Sequence, residues 1–396
     1  MATANQTLES SSSLAQPGPG LLVLLASMGQ EELASVLTSL RALNQAEGLI
    51  VATPEAVPAD AWPDLRIVSV PPTETSWTLT AADFANLFQL AEENRARGIL
   101  ILGPGSESLA ESALGELARA VVGNSVDLAV PCYDLPANAG LINSAILYPL
   151  TRALFASRTR FPLAIDLGLS VRMAQRLSAA AQRFTSVNQG GAILWPVNEA
   201  AVSGFTSTEI NVGPRATPQP ADPDINSILA SVTGSLFADI DAKAAFWQRT
   251  RQLPPARFPL PKSAPTETGA DILPMLDAFR LAYTNLREIW SLVLPPNTLL
   301  GLKRLYLTEP AAFRMPDGLW ARIVYDFLLA YRLRTMNRGH LLGALIPLYL
   351  AWVASHINIT ASGTGPEHHI EAVAAAFELD KPYLVSRWRW PDRFNP

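Results

Sequence analysis

Residues Leu21 to Thr53 read "LLVLLASMGQEELASVLTSLRALNQAEGLIVAT". Two short apolar runs, "LLVLLAS" and "GLIVAT", flank a segment whose apolar residues Leu33, Val36, Leu37, Leu40 and Leu43 recur at the spacing of one helix face. Apolar runs without polar alternation belong to strands covered on both sides, as in a parallel sheet. The stretch therefore predicts strand, helix and strand, the opening unit of an α/β fold.

The alternation continues through "LRIVSV" (Leu65 to Val70), the helical "AADFANLFQLAEENRA", the strand "GILIL", the helical "ESLAESALGELARAVV" and "VDLAVPC". This implies a mostly parallel sheet with helices on both faces. In such a sheet the acids that hold a metal or a sugar stand at the carboxyl ends of strands. After "GILIL" the chain instead has Gly103, Pro104 and Gly105. Glycines before a helix can form an anion-binding nest. The simpler reading makes Ser106 an N-cap with Glu107 in the first turn.

Past Asp222 the texture becomes helical, apart from a Pro-rich connector over about 254–270. The expected organisation is a disordered tail over 1–20, a sheet domain over 21–221 and a helical C-terminal domain over 222–396. The first twenty residues have neither the basic nor the apolar region of a secretory signal. "HLLGALIPLYLAWVASHI", His340 to Ile357, is interrupted by Pro347 and falls short of the roughly 20 apolar residues of a membrane span, so it reads as a buried helix. "LWARIVYDFLLAYRLR" places Leu319, Ile323, Phe327 and Ala330 on one helical face; this face and the apolar helix after it read either as an intrachain core or, in part, as a subunit contact, and a homo- or hetero-oligomer that uses these C-terminal helices is expected.

Composition excludes several classes. Of the 396 residues 49% are hydrophobic and 16% charged, against about 25% charged in an average chain, which calls for a large core. With 30 Lys and Arg against 35 Asp and Glu, a net charge of -5, there is no basic surplus to bind nucleic acid. Cys132 is the single cysteine, which rules out an intrachain disulfide and agrees with a reducing, cytoplasmic setting. His340, His356, His368 and His369 lie in the helical part, and adjacent His368 and His369 point to different faces, against a joint metal site. Common nucleotide-binding, hydrolase and metalloprotease signatures are absent. The acids Asp166, Glu199, Asp222 and Asp224 are scattered, as caps and surface groups are.

Three stretches carry a specific resemblance: "YPLTRALFASRTRFPLAIDLGLS" (Tyr148 to Ser170), the segment Pro316 to Ile357, and "KPYLVSRW" (Lys381 to Trp388). They resemble the bacterial glucosylglycerate synthases, retaining glycosyltransferases of the GT-A fold related to the mannosylglycerate synthases. The resemblance runs in order from about Leu21 to Trp388. It implies a GT-A sheet domain followed by a helical domain, and transfer of a hexose from a nucleotide sugar to D-glycerate. That chemistry needs a divalent metal, held by an Asp-x-Asp pair and a later His, to neutralise the leaving diphosphate. It also needs an Arg or N–H groups for the acceptor carboxylate.

Laid on that pattern, Gly103 and Gly105 stand in place of the two metal-binding acids. The family's Gly-Lys-Gly turn falls at Leu79 to Ala81 without a Lys. Its polar acceptor segment becomes "LPANAGLIN", with Leu135, Ala139 and Leu141 for the polar groups while Gly140 and Ile142 remain. The Gln-Pro-Leu-Gly-Gly type turn becomes "FPLAID", where Asp166 keeps an acid. Ile193 replaces another acid in "GAILW", where Trp195 remains, and Thr217 in "GPRATPQPAD" is nearest the metal-binding His.

The resemblance thus implies a scaffold kept without its metal and donor groups. It leads to the expectation of no metal cofactor and of an inactive relative that works by binding a protein, either an active glycosyltransferase relative or a second copy of itself. The alternative is an active, metal-independent hexosyltransferase in which Arg152, Arg158 and Arg160 replace the cation, with Asp166 and Trp195 completing the substrate-binding set.

Overall fold

The computed structural model describes residues 20–58, 60–71, 77–123, 125–216, 224–250 and 271–391. The tail over 1–19, the boundary at Asp222, the connector over 254–270 and Thr217 lie outside the described residues.

Among the described residues seven strands form one sheet in the order β3-β2-β1-β4-β6-β5-β7: β1 Leu21–Leu25, β2 Leu49–Thr53, β3 Arg66–Ser69, β4 Gly98–Leu102, β5 Leu128–Asp134, β6 Leu167–Ser170 and β7 Ser207–Pro214. Only β6 runs against the others, pairing antiparallel with both β4 and β5. The mostly parallel sheet expected from the apolar runs is present. Its central strands β2 and β4 are buried at every residue, while the edges β3 and β7 carry exposed residues.

The helices of the first half are α1 Gln30–Glu47, α2 Ala81–Ala85, α3 Leu87–Glu93, α4 Glu111–Val122, α5 Tyr148–Phe155, α6 Val171–Thr185 and α7 Pro196–Ser203. The single helix expected from Ala81 is broken at Asn86, which leaves helical geometry at φ -106° and ψ 3°. The cause lies on α6. Ser178 Oγ accepts from the Phe88 amide at 3.1 Å and donates to the Phe84 carbonyl at 2.8 Å, so one hydroxyl stands in the place of a helical hydrogen bond.

The second half contains α8 Ile225–Ala242, α9 Ala244–Trp247, α10 Leu273–Asn285, α11 Arg287–Ser291, α12 Pro296–Tyr306, α13 Asp317–Leu333, α14 Arg338–Ala361 and α15 Pro366–Arg389. By length and composition α14 could cross a bilayer, yet 72% of its most apolar window is buried inside the chain. The expected core helix is what the packing shows.

The face expected to meet another subunit is used within the chain. Ile323, Phe327 and Ala330 are buried, and half-buried Leu319 lies over Gly301 of α12, where a Cβ would come within 2.9 Å of Leu319 Cδ1. The apolar stripe on α13 therefore reports helix packing. It cannot present a docking surface without opening that core.

The helical core also takes in residues from the sheet half. Helix α5, the π-helical turn Asn143–Leu147 before it, Ile193 and Trp195 all pack with α8 and α10–α15. The Trp320 indole donates to the Ala145 carbonyl at 2.8 Å. Arg152 reaches Glu371 at 2.5 Å and Glu378 at 3.0 Å, and Arg160 reaches Glu367 at 2.9 Å, so α15 is clamped against the α5 region. Replacing fully buried Phe327 by Ala should lower stability by about 3–5 kcal/mol, read as a shifted urea midpoint.

Candidate functional site

The turn after β4 is built around one buried carboxylate. Asp166 immediately precedes β6, and because β6 runs antiparallel its start lies at the same edge as the ends of β4, β5 and β7. Asp166 Oδ1 accepts from the Gly103 amide at 3.1 Å and its Oδ2 from the Tyr133 hydroxyl at 2.9 Å. Arg215, just past β7, completes the set with Nε to Oδ2 at 2.9 Å and Nη2 to Oδ1 at 3.1 Å. Burial first, and then the Asp166 charge, push the Tyr133 phenol well above its ordinary pKa, so it remains a donor.

The guanidinium also closes the turn. Arg215 Nη2 donates to the Pro104 carbonyl at 2.9 Å and Nη1 to the Ala216 carbonyl at 2.7 Å. The arginine and aspartate side chains are 1% and 0% exposed, a pair removed from water on all sides. The Gly105 amide is taken by Glu32 of α1. Burial, and then neighbouring Glu107, raise the Glu32 pKa.

The glycines are a geometric consequence. Gly105 has φ +82°, and a Cβ there would overlap Arg215 Nη1 and lie 2.8 Å from the Ala216 carbonyl oxygen. A Cβ on Gly103 would lie 2.8 Å from the Ile165 carbonyl oxygen. Neither position can carry an acid while Arg215 and Ile165 stay where they are. The residues present at this turn do not fit a divalent ion: the Asp166 oxygens face four donors, and among the described residues no three His, Cys, Asp or Glu side chains are placed so that they could hold a metal ion.

The capping role expected of Ser106 is not found. Gly105 takes the cap position of a short 3-10 turn at Ser106–Ser108, α4 starts only at Glu111, and the Ser106 hydroxyl is buried without a hydrogen bond. The turn follows the Gly105 backbone, which Arg215 and Glu32 hold.

The other expected site residues fall into two further places. Arg160 lines a small cleft with Tyr133, Leu135, Ala137, Ser144 and Glu367. Its Nη2 donates to Glu367 at 3.0 Å and to Ser144 at 2.9 Å, and its Nη1 is buried without a partner. Arg152 lies beside it, bonded to Tyr148, Glu371 and Glu378, and half-buried Arg158 lies in the segment between α5 and β6. Trp195 sits apart in the helical core, its indole donating to Ser235 at 3.1 Å. The structure thus brings Arg152 and Arg160 together and places Asp166 with Arg215, a residue the sequence reading passed over. The available signal was a lone cation in "GPRATPQPAD", two residues before the position compared with a metal-binding His.

Behind the cleft His356 of α14 and His369 of α15 face each other, Nδ1 to Nδ1 at 2.7 Å, and both rings stack with Trp352. His369 Nε2 lies 3.2 Å from Asp317 Oδ1. Only one proton fits between the facing nitrogens, so the pair tolerates at most one donor there. Burial, then His369, lower the His356 pKa to about 4.

No family model and no curated protein matches the sequence. Solved structures do resemble parts of the chain. One is a mycobacterial protein at 14% identity, covering 56% of this chain and 74% of that one with a TM-score of 0.36. Another is glucosyl-3-phosphoglycerate synthase from Mycobacterium tuberculosis in complex with phosphoglyceric acid, at 14% identity, 56% and 79% coverage and a TM-score of 0.37. The same enzyme with Mn2+, uridine diphosphate and glucosyl-3-phosphoglycerate gives 14% identity, the same coverage and a TM-score of 0.35.

Two outcomes follow from these geometries. Arg215→Met should cost about 3–5 kcal/mol, because it leaves Asp166 buried and charged without its partner. Arg215→Met combined with Asp166→Asn should be more stable than the single variant by urea denaturation. His356 gives a pH signature. Its folded pKa is lowered, so unfolded chains take up the proton first; the stability is full above about pH 6.5 and declines toward about pH 4, by about 3 kcal/mol. Asp326, raised to about 7 chiefly by burial, acts in the opposite sense. The measurement is therefore differential: between pH 7 and 4, wild type should lose about 2–3 kcal/mol more than His356→Gln in paired denaturation curves.

Proposed function

We propose that this chain is a non-transferring protein on a glycosyltransferase-like scaffold, which works by binding a protein partner, either a competent relative or a second copy of itself. The observation that carries the reading is the Arg215 guanidinium lying across the Gly103–Gly105 turn, bonded to Asp166 and to two carbonyls. A diphosphate leaving group must be met by cationic charge that is free to bind it. Here the cation is internal. Four of its five N–H directions point at protein oxygens, and its charge is matched by Asp166.

The second reading is a metal-independent hexosyltransferase, and one observation favours it: the unpartnered Nη1 of Arg160 in the wall of the cleft. Against it, Arg152 and Arg160 are already paired with Glu371, Glu378 and Glu367. The test is calorimetric titration with UDP-glucose and Mn2+, run beside an assay of glucosyl transfer to D-glycerate in the presence of chelator. The expected result is no saturable binding and no product. Turnover in chelator that is lost in Arg160→Ala would overturn the first reading and establish the second.

A further inference from the structure

Several helix ends meet at one end of the helical half. The Arg332 guanidinium, in the last turn of α13, lies over the Trp388 ring of α15 at 4.2 Å and donates to the Trp388 carbonyl at 2.7 Å. Arg338, the first residue of α14, lies over the Tyr331 ring of α13 at 4.0 Å. Arg389 donates to Gln248, just past α9, at 3.0 Å, and Trp247 of α9 meets Trp388 edge to face at 4.9 Å. The last turns of α13 and α15, the end of α9 and the first turn of α14 therefore share one surface.

That surface is basic. Over residues 241–250, 331–342 and 386–391 the only acid is Asp241, which lies 3.8 Å from Arg332. Lys243 and Arg387 are matched inside the chain, by Glu199 and Asp239 and by Asp326. Arg249, Arg334, Arg338 and Arg389 have no carboxylate partner among the described residues, and all but Arg338 are exposed. The whole chain has a net charge of -5, so the surplus is local. Cations in the last turn of a helix complement its dipole, which accounts for Arg332 and Arg389. The dipole does not account for Arg249, nor for Arg334 in left-handed backbone beyond α13. Arg338 and exposed His340 stand in the first turn of α14, where the helix end is itself positive. The arrangement builds up positive potential instead of offsetting it.

Apolar side chains project from the same end. Trp390 is 61% exposed and Leu333 49%, each beside an exposed arginine in sequence. An exposed indole and leucine set among arginines match the lipid interface, where rings and apolar tips enter the headgroup layer while guanidinium groups meet phosphates. An acidic protein or a nucleic acid would answer the charge and leave the leucine without an apolar layer to enter.

We propose that this end of the helical half docks on the surface of an anionic bilayer, with Arg249, Arg334, Arg338 and Arg389 on lipid phosphates and Trp390 and Leu333 in the headgroup layer. The contact is peripheral, and α14 stays within the core. The proposal goes beyond the partner-binding reading and does not rest on it.

Vesicle co-sedimentation of the full chain tests it. The wild type should pellet with vesicles of mixed phosphatidylglycerol and phosphatidylcholine and not with phosphatidylcholine alone. Salt at about 1 M should release it, because screening then acts within about 3 Å. Arg249→Gln combined with Arg334→Gln should weaken binding by about 25-fold, about fivefold for each charge removed, with an unchanged thermal midpoint because both side chains are exposed. Brominated lipid should quench part of the wild-type tryptophan emission, and that part should be missing in Trp390→Phe. A wild type that ignores the mixed vesicles, or a double variant that binds them as well as wild type, would overturn the proposal. So would bound protein whose Trp390 stays unquenched, since another face would then meet the lipid. Retention on heparin or polyglutamate without any vesicle binding would replace the bilayer by an acidic macromolecule.

Discussion

The ion pair between Asp166 and Arg215 is the constraint on which the carboxyl edge of the sheet depends. Through Gly103, Tyr133 and Arg215 it ties together the ends of β4, β5 and β7 with the start of β6. A charge pair this deeply buried is poor evidence of stability by itself, since desolvation opposes the attraction. What it supplies is specificity of arrangement. Two strand ends, a left-handed glycine and the exit from the last strand must all adopt one geometry for the four donors to converge on one carboxylate. The opposite edge is fastened by a comparable device: Asp127 accepts from Ser170, Thr206 and Arg172, and that hydrogen bonding to Arg172 holds its pKa far below the usual range despite burial.

The alternation of apolar runs and helical repeats made the sheet legible, because burial on both faces leaves a signature that survives any change of function. The Gly-Pro-Gly turn was legible as a departure. Its cause was not, because Arg215 lies more than a hundred residues from Gly103 in sequence, and only the sheet order brings them together. The break at Asn86 depends on a hydroxyl from α6 entering the backbone ladder, a tertiary event with no local cue. The α13 stripe shows the converse ambiguity. Periodicity reports that a face is covered; it does not say whether the cover belongs to the same chain.

Sequence order also hides how the two halves join. A change of texture near Asp222 suggests a division there, yet α5 and Trp195, which come earlier, share their core with helices α8 to α15. Arg152 and Arg160, expected as ligands on the strength of their charge, are the fasteners of that joint. An arginine beside a carboxylate two hundred residues away cannot be told from an arginine awaiting substrate until the fold is known.

The close approach of Gly105 to Arg215 restricts which substitutions this turn accepts. An acid introduced at Gly105 meets the guanidinium sterically, and removing the guanidinium first strands Asp166 in the interior. An acid at Gly103 meets the Ile165 backbone besides. Each single substitution toward a metal-binding turn therefore passes through a less stable protein, and only a concerted set of changes avoids the loss. The turn behaves as a lock: with the internal cation in place, substitutions on the surface of this molecule are tolerated far more readily than any that would open the turn to a ligand.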